Sequence, residues 1–149
     1  MNWNWLYRAW VNIKFAYNTF LMQITKGKIS YNEVHKVIKK NVIVNNNAIF
    51  ISDNNFTLTS STIMEKLIKA SPLKYREYQK EIYDCDDFSF SFMGLMRLVI
   101  PNFAIGVCWT ATHALNFYID DHHVVWLIEP QNNTTRLPTK SDKFRLMII

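Results

Sequence analysis

Apolar residues at Leu6, Trp10, Ile13, Tyr17, Phe20, Leu21 and Ile24 recur at three- and four-residue steps, which predicts a helix over 3–24. Gly27 marks its stop. Trp3, Trp5, Tyr7 and Phe15 lie off that stripe, so the apolar surface of this helix is broad. Such a surface is either buried on several sides or in contact with a partner chain. A second helix follows. Ser30 with Glu33 three residues on is a capping-box pattern, Val34, Val37 and Ile38 form one apolar side, and Lys39-Lys40-Asn41 closes it. The apolar runs 42–44 and 48–51 flank Asn45-Asn46-Asn47 and predict a short hairpin.

Asp53-Asn54-Asn55 reads as a turn. Ser60, Ser61 or Thr62 can cap a helix carrying Ile63, Leu67 and Ile68, which stops before Ser71-Pro72. Tyr75, Tyr78 and Ile82 continue an apolar stripe towards Asp84. From 86 to 100 two periods compete: Phe88, Phe90 and Phe92 alternate like a strand, while Phe88, Phe92, Leu95, Met96 and Val99 keep helical spacing. Length favours a helix ending before Pro101. Segments 104–109, 111–119 and 124–128 are β-branched and aromatic and read as strands, the last two joined as an antiparallel hairpin through Asp120-Asp121-His122. A closing strand is expected over 144–149. The pattern as a whole predicts an α+β protein.

Composition narrows the class. With 149 residues, 49% of them hydrophobic, and only 3 Gly and 4 Pro, the chain has the means to build a core, which excludes disorder. One domain over 1–149 is expected, with a helical and hairpin part over 1–50 and a core over 53–149. The net charge of +5 suits an anionic partner only if it is clustered. Lys26, Lys28, Lys36, Lys39 and Lys40 form the densest basic stretch, but no zinc finger, RNP signature or Arg-rich segment accompanies them. They read as a solvated helix face, and nucleic acid is not an expected partner. Cys85 and Cys108 permit at most one disulfide and have no metal-knuckle spacing. With no signal-peptide pattern and no bilayer-length apolar run, a soluble protein in a reducing, cytoplasmic setting is expected, with no membrane partner.

Candidate chemistry centres on Cys85. A thiol in the first turn of a helix lies at the positive end of the macrodipole, which favours the thiolate that attacks. Asp84, Asp86 and Asp87 oppose this by charge, so a histidine would have to compensate. A three-residue hairpin loop over 120–122 sets Ile119 against His123 and, counting outward, His113 against Glu129 on one face. A two- or four-residue loop would put the pair on opposite faces unless a bulge corrected it. Held by Glu129, the imidazole of His113 could take the proton of Cys85. The plainer reading is a buried cysteine, a satisfied histidine and a glutamate ending a strand.

Asp84-Cys-Asp-Asp-Phe88, Thr112-His-Ala-Leu-Asn116 and Ile128-Glu-Pro-Gln131 stand in the order of three blocks that this sequence shares with a known group. Over roughly 53–131 it resembles the agglutinin C-terminal family, the papain-like catalytic domain of the Marasmius oreades agglutinin and its bacterial and phage relatives. The resemblance implies a papain-like or transglutaminase-like fold, with a nucleophile helix on an antiparallel sheet, to which the helix expected from the N-terminal periodicity adds a helical extension. It implies Cys85 as nucleophile, His113 as base and Glu129 as the third member, with Asp84, Asp86, Asn116 and Gln131 in support. Thr112 stands where the family usually has Gly, and Ser89 and Ser91 where small apolar residues are common.

Gln79, six residues before Cys85, is a candidate oxyanion donor, with the Cys85 backbone N–H as the other. The family resemblance brings calcium into view, and Asp84, Asp86, Asp87, Asp120 and Asp121 offer hard oxygens, but without a Gly-spaced loop capping and turn roles fit them better. His122-His123 reads as a solvated hairpin tip. No β-trefoil lectin region is present, so the resemblance does not extend to sugar binding.

The expected function is a cysteine-dependent acyl-transfer enzyme, a protease, amidase or transglutaminase-like protein acting on a protein, peptide or small amide. The alternative is a non-catalytic binding or inhibitor protein of phage or bacterial origin that uses the cleft to hold a ligand or host protein. Either could self-associate, or meet a host protein, through the aromatic N-terminal helix.

Overall fold

The computed structural model describes Phe20 and residues 23–149. Of the predicted first helix, Phe20, Gln23 and Ile24 are helical, and its tryptophans lie outside the described residues. Strand β1 (Gly27–Ser30) leads directly into α1 (Tyr31–Asn41). The predicted capping box is formed: the Glu33 N–H donates to Ser30 Oγ, and the Ser30 N–H donates to Glu33 Oε2 at 3.0 Å. Val34, Val37 and Ile38 are the buried side of α1, as their spacing predicts.

The hairpin expected around Asn45-Asn46-Asn47 is not there. Strands β2 (Ile43–Val44) and β3 (Ile49–Phe50) flank a 3-10 turn capped by Asn45, and neither pairs with the other. Each lies parallel to a C-terminal strand, β2 along β9 (Lys143–Phe144) and β3 along β10 (Leu146–Ile148). The turn steps the chain sideways instead of folding it back. A further strand absent from the expected elements, β4 (Asn55–Leu58), pairs antiparallel with β1.

Helix α2 (Ser61–Ala70) is capped by Ser60 and ends at Ser71-Pro72. The apolar stripe expected beyond it is instead an exposed loop, in which Tyr75 and Ile82 are 82% and 75% exposed. Helix α3 (Cys85–Val99) resolves the two competing periods of its sequence in favour of the helix. Asp84 caps it, Asp87 reaches back to the Asp84 N–H at 3.1 Å, and Pro101 lies just past its end.

The central sheet has six strands in the order β3-β10-β5-β6-β7-β8, with β5 (Ile105–Trp109), β6 (Ala114–Ile119), β7 (Val125–Glu129) and β8 (Thr134–Arg136). All neighbours are antiparallel except β3 and β10. Phe92 and Met96 of α3 and Met64 and Ile68 of α2 pack on Ile105, Tyr118 and Ile128. On the other face, α1 and the β1–β4 ribbon cover Phe117, Ile119 and Leu127 through Val34, Ile38, Phe56 and Leu58. Every residue of β6 is consequently buried. The expected papain-like layout, a nucleophile helix on an antiparallel sheet, is corrected to a mixed sheet covered on both faces. The parallel β3 strand and the second cover both come from sequence-distant pairing that local periodicity does not encode.

Candidate functional site

Thr110 begins the site. Its Oγ1 accepts the His113 N–H at 3.1 Å and donates to the His113 carbonyl at 3.1 Å, and its N–H donates to that carbonyl at 2.9 Å. This turn fixes the backbone of His113 at the entrance to β6. From there His113 Nε2 meets Glu129 Oε2 at 2.6 Å, and Glu129 Oε1 accepts the Gln131 N–H at 3.2 Å. The carboxylate is held from both sides.

The hairpin reaches this pair by a different register from the one expected. Ile119 pairs with Val125, and Asn116 with Ile128, so five residues form the loop instead of three. Extended outward, this register sets His113 against Gln131 and leaves Glu129 as the diagonal neighbour. A shift of two residues keeps every side chain on its face, and diagonal neighbours remain within reach of long side chains. The loop is built by Asp120. Its Oδ1 accepts the His122 and Val124 N–H groups, each at 2.9 Å, its Oδ2 accepts Trp126 Nε1–H at 2.8 Å, and His123 adopts φ 59°. Asp120 is therefore a turn-forming residue.

Cys85 is the first residue of α3, half-buried and not in a disulfide. Its carbonyl accepts Ser89 Oγ–H at 2.8 Å. Among the described residues no hydrogen bond joins Cys85 Sγ to His113. Asp84 is held below the ordinary carboxylate range by the hydrogen bond from the Asp86 side chain, and the same bond raises Asp86. The donor atoms of Asp84, Cys85 and Asp86 lie within 4.8 Å of one another, a spacing that the capping role of Asp84 already explains. Gln79 sits in the exposed loop, where its backbone bridges to Tyr83. Asn116 is fully buried, and its Nδ2 donates to the Ser89 and Gly106 carbonyls at 2.8 and 3.1 Å. It ties α3 to the sheet.

His113 and Glu129 open onto a cleft of ≈ 230 Å³. Leu115 and Leu127 contribute apolar wall, and Thr134, Thr135 and Arg136 of β8 the polar side. Leu115 and Leu127 belong to the core under α1, whereas α3 packs on the opposite face of the sheet. Arg136 is anchored by two bonds of 2.7 Å to Asp142, whose carboxyl is held far below the ordinary range by that guanidinium and by Thr139. Thr110, Arg136 and Asp142 were not singled out by sequence. The spacings Thr110-x-x-His113 and Thr139-x-x-Asp142 are the local signals that could have marked them.

No family model matches the sequence, and no curated protein matches it. Solved structures with the same fold include a complex of PSL1a with E64, at 21% identity and TM-score 0.68 over 82% of this chain and 51% of that one. A Polyporus squamosus lectin bound to the human-type influenza-binding epitope Neu5Aca2-6Galb1-4GlcNAc matches at 20% identity and TM-score 0.60, over 82% and 49%. The chain thus spans about half the length of these lectin chains, and the likeness is one of fold. Membership of the agglutinin C-terminal family is corrected accordingly, and the papain-like or transglutaminase-like class gives way to the sheet-centred fold shared with these lectin structures. The acyl-transfer reading, with its protease, hydrolase and catalytic-triad description, is corrected by the same finding. Both solved structures are ligand complexes.

Proposed function

We propose that this chain is a non-catalytic binding protein that holds a small, hydroxyl-rich ligand in the cleft rimmed by His113 and Glu129. The observation that carries this reading is the arrested carboxylate: Glu129 is oriented by His113 and the Gln131 N–H, leaving lone pairs for ligand hydroxyls. Thr134 and Thr135 add hydroxyls beside it. Sugars suit such a lining. The lectin bound to a sialylated trisaccharide supplies the first probe.

Isothermal titration with that trisaccharide, its component sugars and a peptide panel tests the reading. Saturable sugar binding is expected, weakened about tenfold or more by Glu129→Ala through loss of a hydrogen bond to a charged group. His113→Ala weakens it likewise, while Cys85→Ser leaves it unchanged. Binding of peptides alone, or loss of sugar binding in Cys85→Ser, sinks the proposal.

A further inference from the structure

A second cleft, ≈ 420 Å³, lies between the end of α1 and the loop over 138–140. Lys39, Lys40, Ile43, Pro138, Thr139 and Lys140 line it with Asn41 and Val42. Two of the lysines have a local explanation, because cations are favoured at a helix C-terminus. Lys140 does not. It arrives from the other end of the sequence, and no carboxylate belongs to the lining. Ammonium groups gathered in one cleft repel one another, and a bound anion relieves that repulsion.

The walls are held in place before any ligand arrives. Asp142 accepts the Thr139 N–H at 2.7 Å and Thr139 Oγ1–H at 2.8 Å while pairing with Arg136, so the Lys140 loop is braced and the Asp142 carboxylate is already matched. Lys39 Nζ donates to the Val44 carbonyl at 3.1 Å, which positions it and leaves two N–H donors free. Ile43, 50% exposed, and Pro138 form an apolar patch beside the charges. Lysine acts as a point charge and suits a phosphate, whereas bidentate carboxylate recognition favours arginine. The cleft is also larger than a phosphate ion alone.

We infer that this cleft binds a small organic phosphate, with the phosphate among Lys39, Lys40 and Lys140 and an apolar body against Ile43 and Pro138. The site stands apart from the His113–Glu129 cleft and does not depend on the reading given for it. The test is titration of the full chain with phenyl phosphate and with inorganic phosphate, followed by calorimetry and by amide shifts at Ile43.

Phenyl phosphate is expected to bind more tightly than inorganic phosphate and to weaken as salt is raised to about 0.5 M. Lys40→Ala and Lys140→Ala are each expected to lower its affinity about tenfold through loss of a charge-assisted contact, while Lys26→Ala leaves it unchanged. Circular dichroism confirms that the surface variants remain folded. No saturable phenyl phosphate binding, or equal binding by Lys140→Ala and the parent, overturns the inference. So does binding of anionic vesicles or an oligonucleotide that phenyl phosphate fails to displace.

Discussion

Asp142 and Asp120 are both aspartates that organise a loop by accepting backbone hydrogen bonds. Asp142 exchanges two bonds with Arg136 and two with Thr139, and the Arg136 guanidinium is the main cause of its lowered pKa. A carboxyl depressed in the folded state contributes stability above its unfolded value, near about 4, and that stability is lost as pH falls towards the folded value. The unfolding free energy is therefore expected to drop as pH falls from about 5 to about 2. Urea titrations of Asp142→Asn should show a shallower drop than the parent; an unchanged slope would remove Asp142 from the acid response. Asp120 acts by geometry, holding two loop amides and the Trp126 indole. At Cys108, by contrast, burial in the sheet pushes the thiol up, which leaves it an apolar filler of the α1-side core.

Elements with local determinants were legible in the sequence. Ser30 with Glu33, Ser60 before its helix, and the helical spacing from Phe88 to Val99 each require only neighbours within one or two turns, and each forms as expected. The β6–β7 hairpin was legible in existence and face but not in register. Asp120 accepts two amides inside the loop and lengthens it to five residues. His113 and Glu129 still meet because the slip is even. Strand β5 shows a tighter constraint. A Cβ at Gly106 would lie 2.1 Å from the Ile148 carbonyl oxygen and 2.6 Å from the Phe117 ring. Gly106→Ala must then push β10 or Phe117 aside, at a cost of about 1–3 kcal/mol or more for overpacking. Denaturant melts should show that loss, accompanied by faster amide exchange along β10; a neutral substitution would mean that the strands yield freely.

At the scale of the whole molecule, the C-terminal strands carry more of the architecture than their length suggests. β10 sits between β3 and β5, and β9 is the pairing partner of β2, so residues 143–148 join the early segment 43–50 to the central sheet. A chain ending at Asp142 is expected to lose these pairings and the burial of Phe144 and Met147, giving a noncooperative thermal transition and weak near-ultraviolet circular dichroism. A sharp, parent-like melt would show that β1–β4 and β5–β8 suffice.

The sequence by itself determined the capped helices, the apolar faces they bury and the central strands. Those features follow from side-chain periodicity and from hydrogen bonds between near neighbours. Tertiary structure decided that β2 and β3 pair with β9 and β10 and not with each other, that both faces of β6 are covered, and that Lys140 joins Lys39 and Lys40. Backbone donors and acceptors are alike at every residue, so which distant strand completes a ladder is settled by the surface that all the elements bury together.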